Sequence, residues 1–329
     1  MTYLATFLQT FFTDYVHSQR ALSANTIRSY RDTWRLLVKH LAATTATSPD
    51  QLLLENLDRA TVTGFLEHLA TQRGNTAATR NSRLAAIRVL LAQALPDHPE
   101  HADTIRRVLA IPPAKTTRPL TSYLDQDETA ALLAAPNTTT WTGRRDQTML
   151  ALAINTGLRV SELAGLTTAD VHLHAGPHIE CQGKGRKHRA TPISAAMRDQ
   201  LRAYLEERTL RPGDALFPGP HGQALSRDAI EQRLATHVHA ATSACPSLVD
   251  KHVTAHTLRH TTAMNLLHAG VDLAVIALWF GHEQTSTTDR YLHADAEIKK
   301  DALAKTRPPH VTPGTYSPTA DILAWLDSI

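Results

Sequence analysis

The stretch that decides the fold class is D-V-H-L-H-A-G-P-H-I-E-C-Q-G-K-G-R-K-H-R-A-T-P, residues Asp170 to Pro192. Polar and apolar residues alternate here with a period of two around the turn sequences A-G-P and G-K-G-R-K, a pattern typical of antiparallel strands. The sequence on both sides has helical periodicity instead. We therefore predict a mainly α chain with one small antiparallel three-stranded sheet in its second half.

Helical runs flank this stretch, with apolar residues every three or four positions. In chain order, the first three runs begin at about Asp125, Arg144 and Arg159, and the other four are predicted at about 194–208, 226–243, 256–269 and 272–280. Gly157, Gly270 and Gly281 follow three of these runs, at the position where a left-handed residue commonly ends a helix. The second half is thus predicted to be a mixed α+β domain.

The first 113 residues contain helical patterns only, with predicted helices at about 3–18, 24–42, 58–72, 76–94 and 99–110. Capping residues support three of these starts: Ser23 or Asn25, Asp58, and Asn75 or Thr76. This part is predicted to form a small helical bundle.

A proline-rich stretch, I-P-P-A-K-T-T-R-P-L from Ile111 to Leu120, has the composition of a semi-rigid linker. We predict a helical domain at 1–113, a linker at 114–123, a second domain at 124–310 and a tail at 311–329. The tail ends in P-T-A-D-I-L-A-W-L-D-S-I, whose apolar residues would share a helical face too short to fold alone. We expect this short helix to dock on protein, in the same chain or in a neighbouring copy.

Composition is that of a globular protein, with 42% hydrophobic and 20% charged residues. No window approaches the roughly 18 uninterrupted apolar residues of a membrane span, and the first residues lack the features of a signal peptide. Cys181 and Cys245 fit neither a disulfide framework nor a metal-ligand spacing. The sequence predicts a cytoplasmic protein with no membrane partner and no cysteine-bound metal.

A net charge of +3 does not by itself predict a nucleic-acid partner, so local patches matter more. The second and fourth predicted helices carry basic residues three to five positions apart: Arg28, Arg31 and Arg35, then Arg80, Arg83 and Arg88. Each set is either an ordinary solvated face or a DNA-binding surface. The densest patch is K-G-R-K-H-R at the second predicted turn, which contains Lys184, Arg186, Lys187 and Arg189.

The stretch H-T-L-R-H places polar side chains in the opening turns of a predicted helix. His256, Arg259 and His260 lie at positions i, i+3 and i+4, so they can share a side with the unsatisfied N–H groups of the helix start and bind an anion. A zinc pair is the alternative for the two histidines, but the H-E-x-x-H motif needs glutamate where Thr257 stands. We therefore favour the anion site.

Further residues suit chemistry on a phosphate. G-L-R-V-S-E-L presents Arg159 after a helix end, with Glu162 three residues on to orient it, and two guanidinium groups can each take one non-bridging oxygen. Lys184 lies between glycines and would either protonate a leaving oxygen or only touch the DNA backbone. Tyr291 follows nine residues after His282. Its ordinary pKa of about 10 calls for nearby cations if it is a nucleophile, and taken alone it suits core packing.

Together these residues resemble the signature of the tyrosine recombinases, also called the phage integrase family. The signature is Arg, Lys, His-x-x-Arg, His or Trp, then Tyr, and it is matched in order by Arg159, Lys184, His256, Arg259, His282 and Tyr291. The strings T-G-L-R-x-S-E-L, G-K-G-x-K, H-x-L-R-H and G-H-x8-Y are similar to those of the family as well. The resemblance covers roughly 120–300 and implies a SAM-like core DNA-binding domain for the bundle at 1–113.

The resemblance implies site-specific cleavage and rejoining of double-stranded DNA through a 3′-phosphotyrosine on Tyr291, without a cofactor or a metal. Glu162 and His260 would orient the reacting groups. The phosphate would accept hydrogen bonds from Arg159, Arg259 and His282. Lys184 would be the general acid, and His256 would assist proton transfer from Tyr291. The family also implies a homotetramer on paired sites, a dimer on each, with a related recombinase or an accessory protein as a further partner on the nucleoid.

Alternatives remain at this point. A type IB topoisomerase uses similar chemistry, although the compact helical domain and short linker favour the recombinase. A DNA-binding protein that no longer cuts would bind without forming a covalent product. Among recombinases, both an enzyme of a mobile element and a resolvase of the Xer type fit, and the long tail favours the mobile element. Target sequence and reaction direction are not encoded in these motifs.

Overall fold

The computed structural model describes residues 2–14, 22–116, 122–174, 176–182, 188–207 and 211–281. The chain divides into two compact units, Met1–Arg118 and Pro119–Ile329, and each has its own cluster of buried apolar side chains. No helix within the described ranges is both long and apolar enough to cross a membrane.

The described part of the first unit is a bundle of α-helices: α1 Leu4–Thr10, α2 Ala24–Thr45, α3 Arg59–Thr71, α4 Ala77–Ala94 and α5 Ala102–Leu109. Side-chain oxygens of Ser23, Asp58 and Thr76 each accept the N–H three residues further on, which starts α2, α3 and α4 where their capping signals predict. The apolar faces of the helices meet in a core that includes Trp34, Leu37, Phe65, Leu69, Ile87 and Leu90. The predicted helical bundle is confirmed.

The structure departs from the predicted helices at two places in this unit. One helix is predicted over 3–18, whereas the α-helix ends at Thr10 and a wider π-helical turn continues through 11–14. A 3-10 helix at Leu54–Asn56 is not predicted. It forms because Leu54 packs into the core and the Asn56 side chain accepts the N–H of Leu53 at 2.7 Å, and three residues are too few to show a period.

The last described residues of this unit are held by α4. Asn81 donates to the carbonyl of Ala114 at 2.9 Å and accepts its N–H at 2.8 Å. Arg88 donates to the carbonyl of Ile111. The first residue of the predicted linker therefore packs with the bundle, because one amide side chain satisfies both of its backbone groups.

The second unit combines helices with one small sheet. Its helices in the described ranges are α6 Gln126–Ala134, α7 Trp141–Thr156, α8 Val160–Gly165, α9 Ala195–Glu206, α10 Arg227–Ala241, α11 Ala255–His268 and α12 Leu273–Phe280. The strands are β1 Val171–His172, β2 His178–Gln182 and β3 His188–Pro192. They pair antiparallel in the order β1-β2-β3, with Cys181 opposite Arg189, which confirms the predicted three-stranded sheet.

The core of this unit forms where α7 packs against α9 and α11. Its buried side chains include Met149, Leu152, Leu158, Met197, Leu201 and Leu258. A second cluster joins α11 to α12 through Ala263, Met264, Ile276 and Phe280. Each fully buried side chain of the size of leucine contributes about 1.5–3 kcal/mol, so these contacts hold the ends of α7, α11 and α12 together.

Candidate active site

Arg159 stands directly before α8, at a position set by the left-handed end of α7. Gly157 has a φ of 63° and turns the chain, and Arg159 follows two residues later with extended backbone. Glu162, buried in the first turn of α8, accepts the Arg159 N–H at 2.8 Å and its Nη1 at 2.8 Å. The contact that the i, i+3 spacing predicts is present, and the guanidinium stays 38% exposed while its partner carboxylate is buried.

Arg259 lies buried in α11 and contacts the ends of two other helices. Its Nη1 donates to the carbonyl of Gly157 at 2.5 Å and its Nη2 to the carbonyl of Phe280 at 3.0 Å. Its guanidinium carbon also lies 4.3 Å from the centre of the Phe280 ring, a favourable cation–π distance. Packing therefore places Arg259 beside the chain segment that leads into Arg159.

The C-terminal carbonyls of α7 accept hydrogen bonds from α11 and α12. Thr262 donates to Ile154 at 2.7 Å, the Trp279 indole donates to Thr156 at 3.0 Å, and Arg259 donates to Gly157. The last carbonyls of a helix have no partners within it, so such donors stabilise the helix end and fix its neighbours. This junction orients the two arginines of the predicted site.

Arg189 joins the same junction from β3. Its Nη2 donates to Glu162 Oε2 at 2.9 Å, and its Nη1 donates to the carbonyl of Phe280. The side chain is only 12% exposed. The sequence predicts Arg189 as a DNA contact, whereas its contacts in the described structure are with protein groups. Strand alternation carries a signal for this, because Arg189 shares a face with the buried Thr191.

His256 and His260 lie on one side of α11, as their spacing predicts. Their ring centres are 4.2 Å apart in an edge-to-face arrangement, with His256 exposed and His260 buried. The start of α11 is less open than the sequence suggests, because the Ala255 N–H donates to the Glu231 carboxylate at 3.1 Å and the Thr257 N–H to the Thr254 hydroxyl at 3.3 Å. The expectation of unsatisfied N–H groups is wrong for these two.

Burial and nearby charged side chains shift the pKa of Cys181 on β2, beside this junction. Burial is the largest effect on the Cys181 thiol and raises its pKa above the ordinary value; Glu162 also raises this pKa, and the opposing effect of Arg189 and Arg159 does not reverse the shift. Cys181 is therefore a neutral thiol, buried on β2, and not a reactive one.

Several predicted site residues lie outside the described ranges: Lys184, Arg186, Lys187, His282 and Tyr291. The described ends of β2 and β3 bracket the first three in sequence, and Gly281, with a φ of 60°, directly precedes His282. The predicted tail at 311–329 is also outside the described ranges. The structure thus brings together Arg159, Glu162, Arg259 and Arg189 and places His256 and His260 on α11.

The arginines of the helical unit that are predicted to bind DNA lie on α2 and α4, which pack against each other. Arg28, Arg31 and Arg35 are exposed, whereas Arg80 and Arg83 are half-buried. Burial lowers the pKa of Arg83, Arg73 lowers it further, and Asp32 on α2 opposes this. Arg83 is therefore close to α2, and its neighbours include another cation.

One group in the described residues has the ligand types of a metal site. His172 and His178 are partners across β1 and β2, and their ligand atoms and one from Glu180 lie within 4.8 Å of one another. His178 Nδ1 lies 2.7 Å from the carbonyl of Gly176. His256 and His260, the pair considered for zinc, are not part of such a group among the described residues.

Comparison with known proteins places the chain in a family. Residues 122–297 match the phage integrase family, and residues 10–97 match the phage integrase N-terminal SAM-like domain. A putative integrase/recombinase of Sinorhizobium fredii, y4rC, is 43% identical over 326 residues, which cover 99% of this chain and 98% of the relative. Tyrosine recombinase XerD of Listeria monocytogenes is 33% identical over 305 residues, 90% of this chain and 97% of the relative.

Solved structures show the same fold. One is the lambda integrase, in a crystal structure of its tetramer bound to a Holliday junction. It is 17% identical, with a TM-score of 0.63, over 88% of this chain and 77% of that chain. At this identity the likeness concerns the fold alone.

The chain belongs to the phage integrase family. It is a tyrosine-type site-specific recombinase that catalyses cleavage and rejoining of DNA, which confirms the predicted family and activity. The match at 122–297 includes the six signature positions from Arg159 to Tyr291.

Proposed function

We propose that Tyr291 is the nucleophile and that Arg159 and Arg259 hold the phosphate it attacks. The observation that carries this is the junction of α7, α8 and α11, where one buried carboxylate, Glu162, orients Arg159 and the carbonyl of Gly157 orients Arg259. Two rigidly held guanidinium groups suit the negative charge that builds on the non-bridging oxygens during the reaction. Preorganised donors of this kind contribute about 10²–10³-fold each to a rate.

The remaining predicted site residues transfer protons or bind the phosphate. His256 on the exposed side of α11 accepts or relays the Tyr291 proton, with His260 packed against its ring. Lys184 protonates the departing 5′ oxygen, and His282 donates a hydrogen bond to the phosphate. The P–O bond to the 5′ oxygen breaks as the bond to the tyrosine oxygen forms, so a 3′-phosphotyrosine and a free 5′-hydroxyl result. The hydroxyl of a partner strand reverses the step.

We further propose that two dimers pair into a tetramer in the cytoplasm. The DNA is held by the other predicted basic residues, Arg28, Arg31, Arg35, Arg80, Arg83, Arg186 and Lys187. Arg28, Arg31 and Arg35 are exposed on α2, as phosphate contacts require. The tetramer of the lambda integrase on a Holliday junction supports the assembly by analogy of fold. The proposal keeps the domain boundaries that the sequence predicts: a helical DNA-binding domain at 1–113, a linker at 114–123, a catalytic domain at 124–310 and a tail at 311–329.

The test begins by recovering DNA covalently attached to the full chain in cells under denaturing conditions and sequencing its ends. The sequence found is rebuilt as a nicked duplex, which traps the covalent product because the short leaving strand diffuses away. We expect wild type to form the product and Tyr291→Phe to bind the duplex equally well but form none. Tyr316→Phe, outside the matched family region, is the matched control and should behave as wild type.

Each other outcome contradicts a specific part of the proposal. A covalent product from Tyr291→Phe would identify another nucleophile. A wild type that binds without any covalent product would support the non-cleaving alternative. Relaxation of a supercoiled plasmid that lacks the recovered site would indicate topoisomerase-like action.

A further inference from the structure

We propose that Arg189 is a positioning residue that links the two phosphate-binding arginines to the strand that follows Lys184, and not a DNA contact. This inference rests on the proposed roles of Arg159 and Arg259. One donor of Arg189 bonds Glu162, which also holds Arg159, and another bonds the carbonyl of Phe280, which also holds Arg259. Arg189 lies on β3, the strand that follows Lys184 in the sequence.

The first link runs through Glu162. One of its oxygens accepts from Arg159 Nη1 at 2.8 Å, and the other accepts from the Arg159 N–H at 2.8 Å and from Arg189 Nη2 at 2.9 Å. The carboxylate is 3% exposed, so water does little to satisfy it. Loss of Arg189 would leave Glu162 with one cation in a buried place and let its orientation, and that of Arg159, relax.

The second link runs through the carbonyl of Phe280. It ends α12 and accepts from both Arg189 Nη1 and Arg259 Nη2. The next residue, Gly281, has a φ of 60°, and a Cβ there would lie 3.1 Å from Arg189 Nη1. Arg189 thus packs against the turn after which His282 follows in sequence.

The position of Arg189 in the sheet explains why it can couple these parts. It pairs with Cys181 across β2 and β3, five residues after Lys184 in the sequence. A single side chain therefore connects the sheet, the start of α8 and the end of α12. Arginine suits this role because its planar fork reaches two acceptors at once, which a lysine ammonium does not reproduce in the same geometry.

A positioning role and a phosphate contact make different predictions. Removing a phosphate contact weakens DNA binding and lowers the slope of log Kd against log salt concentration by about 1. Removing a positioning residue leaves binding and slope unchanged and slows the chemical step at saturating DNA. A misplacement of about 1 Å costs up to about 10²-fold in rate, so we expect a loss of about 10- to 100-fold for Arg189→Gln.

The experiment uses the full chain with the nicked duplex rebuilt from the recovered covalent complexes. Kd is measured over a series of salt concentrations, and the single-turnover rate of covalent product formation is measured with saturating DNA. The matched control is Arg202→Gln on α9, an exposed arginine whose ion pair with Asp199 is 3.7 Å long. We expect Arg202→Gln to keep both the rate and the slope of wild type.

A double-mutant cycle tests the link to Glu162. Arg189→Gln and Glu162→Gln should be strongly non-additive in rate, because each breaks the same connection. Additive losses would overturn the proposal, and so would an unchanged rate or a lowered salt slope in Arg189→Gln. If Arg189→Gln does not fold, Arg189→Lys takes its place, since it keeps the charge and should still show the rate loss. A wild type that forms no covalent product would instead refute the proposed function.

Discussion

At the scale of single residues, the junction of α7, α8 and α11 depends on Gly157, whose role the sequence motif alone does not explain. The carbonyl of Gly157 holds Arg259, and its φ of 63° directs the chain toward Arg159. A Cβ at this position would lie 2.3 Å from the ring of Phe280. Both the backbone conformation and the space exclude a side chain, so this glycine serves the end of α7 and the ring packing at once.

Gly157→Ala should lower the free energy of unfolding of the second unit by about 2–5 kcal/mol, which combines the left-handed backbone cost with overpacking. The covalent cleavage rate should fall as well, because Phe280 and Arg259 must move. Denaturant unfolding of the full chain measures the first effect. The control is Gly165→Ala, where no atom lies within 4 Å of the added Cβ. Equal unfolding curves for the two variants would contradict this account.

At the scale of elements, α7 and α10 are joined by a buried charge network around Asp146. The carboxylate accepts from Arg145 at 2.8 Å and from Arg233, and it lies 2.8 Å from His237 Nε2. Burial alone would raise the pKa of Asp146, but the hydrogen bonds from His237, Arg145 and Arg233 outweigh it and hold that pKa below its ordinary value. An ionised Asp146 therefore stabilises the contact between the two helices.

Asp146→Asn should destabilise the second unit by about 3–5 kcal/mol near pH 7, because the buried Arg145 loses its counter-charge. Since the pKa of Asp146 is depressed in the folded chain, its stabilisation is full above the unfolded pKa of about 3.9 and fades as pH falls through the folded value. The difference in the free energy of unfolding between wild type and Asp146→Asn should thus become smaller as the pH falls into the acid range. Unfolding curves over a pH series check this.

The matched control for Asp146→Asn is Asp199→Asn, which breaks an exposed pair with Arg198 at 2.8 Å. Exposed pairs contribute about 0–1 kcal/mol, so little change is expected there. Similar losses at both positions would show that burial does not decide the strength of the Asp146 network.

At the scale of the whole molecule, we propose that the predicted tail at 311–329 docks on protein, in the same chain or in another copy. Its apolar residues at the C-terminal end are Ile322, Leu323, Trp325, Leu326 and Ile329. Spaced for one helical face, they need a protein surface to bury them, in the same chain or in another copy. Assembly on paired DNA sites would use such a surface.

Deleting 316–329 should leave DNA binding to a single site close to wild type and reduce the fraction of paired-site complexes, or else lower the stability of the chain if the tail docks in cis. Native gels with one-site and two-site duplexes measure the first effect, and thermal unfolding measures the second. Trp325→Ala should reproduce part of the loss, and Ser328→Ala is the control. A truncated chain that matches wild type in both assays would refute the docking of the tail.

Much of this protein follows from local sequence. Ser23, Asp58 and Thr76 start helices where a side-chain oxygen is available for the N–H three residues on, and Gly157 ends one where a left-handed residue is needed. The alternation from Asp170 to Pro192 predicts the sheet for the same kind of reason. The motif residues identify the chemistry through their resemblance to the tyrosine recombinases, whose signature they match in order.

Only the tertiary structure decides what these residues contact. Arg189 reaches Glu162 across 27 residues and Phe280 across 91, and Glu231 closes part of the α11 start across 24. Such contacts depend on how β3, α8, α10, α11 and α12 pack, which no local pattern encodes. Capping, turns and periodicity are set within a few residues, and so the sequence by itself determines the helices and strands. The motif residues, matched in order to a known signature, determine the class of reaction. The alignment of the arginines arises from long-range packing and burial, and so it belongs to the fold.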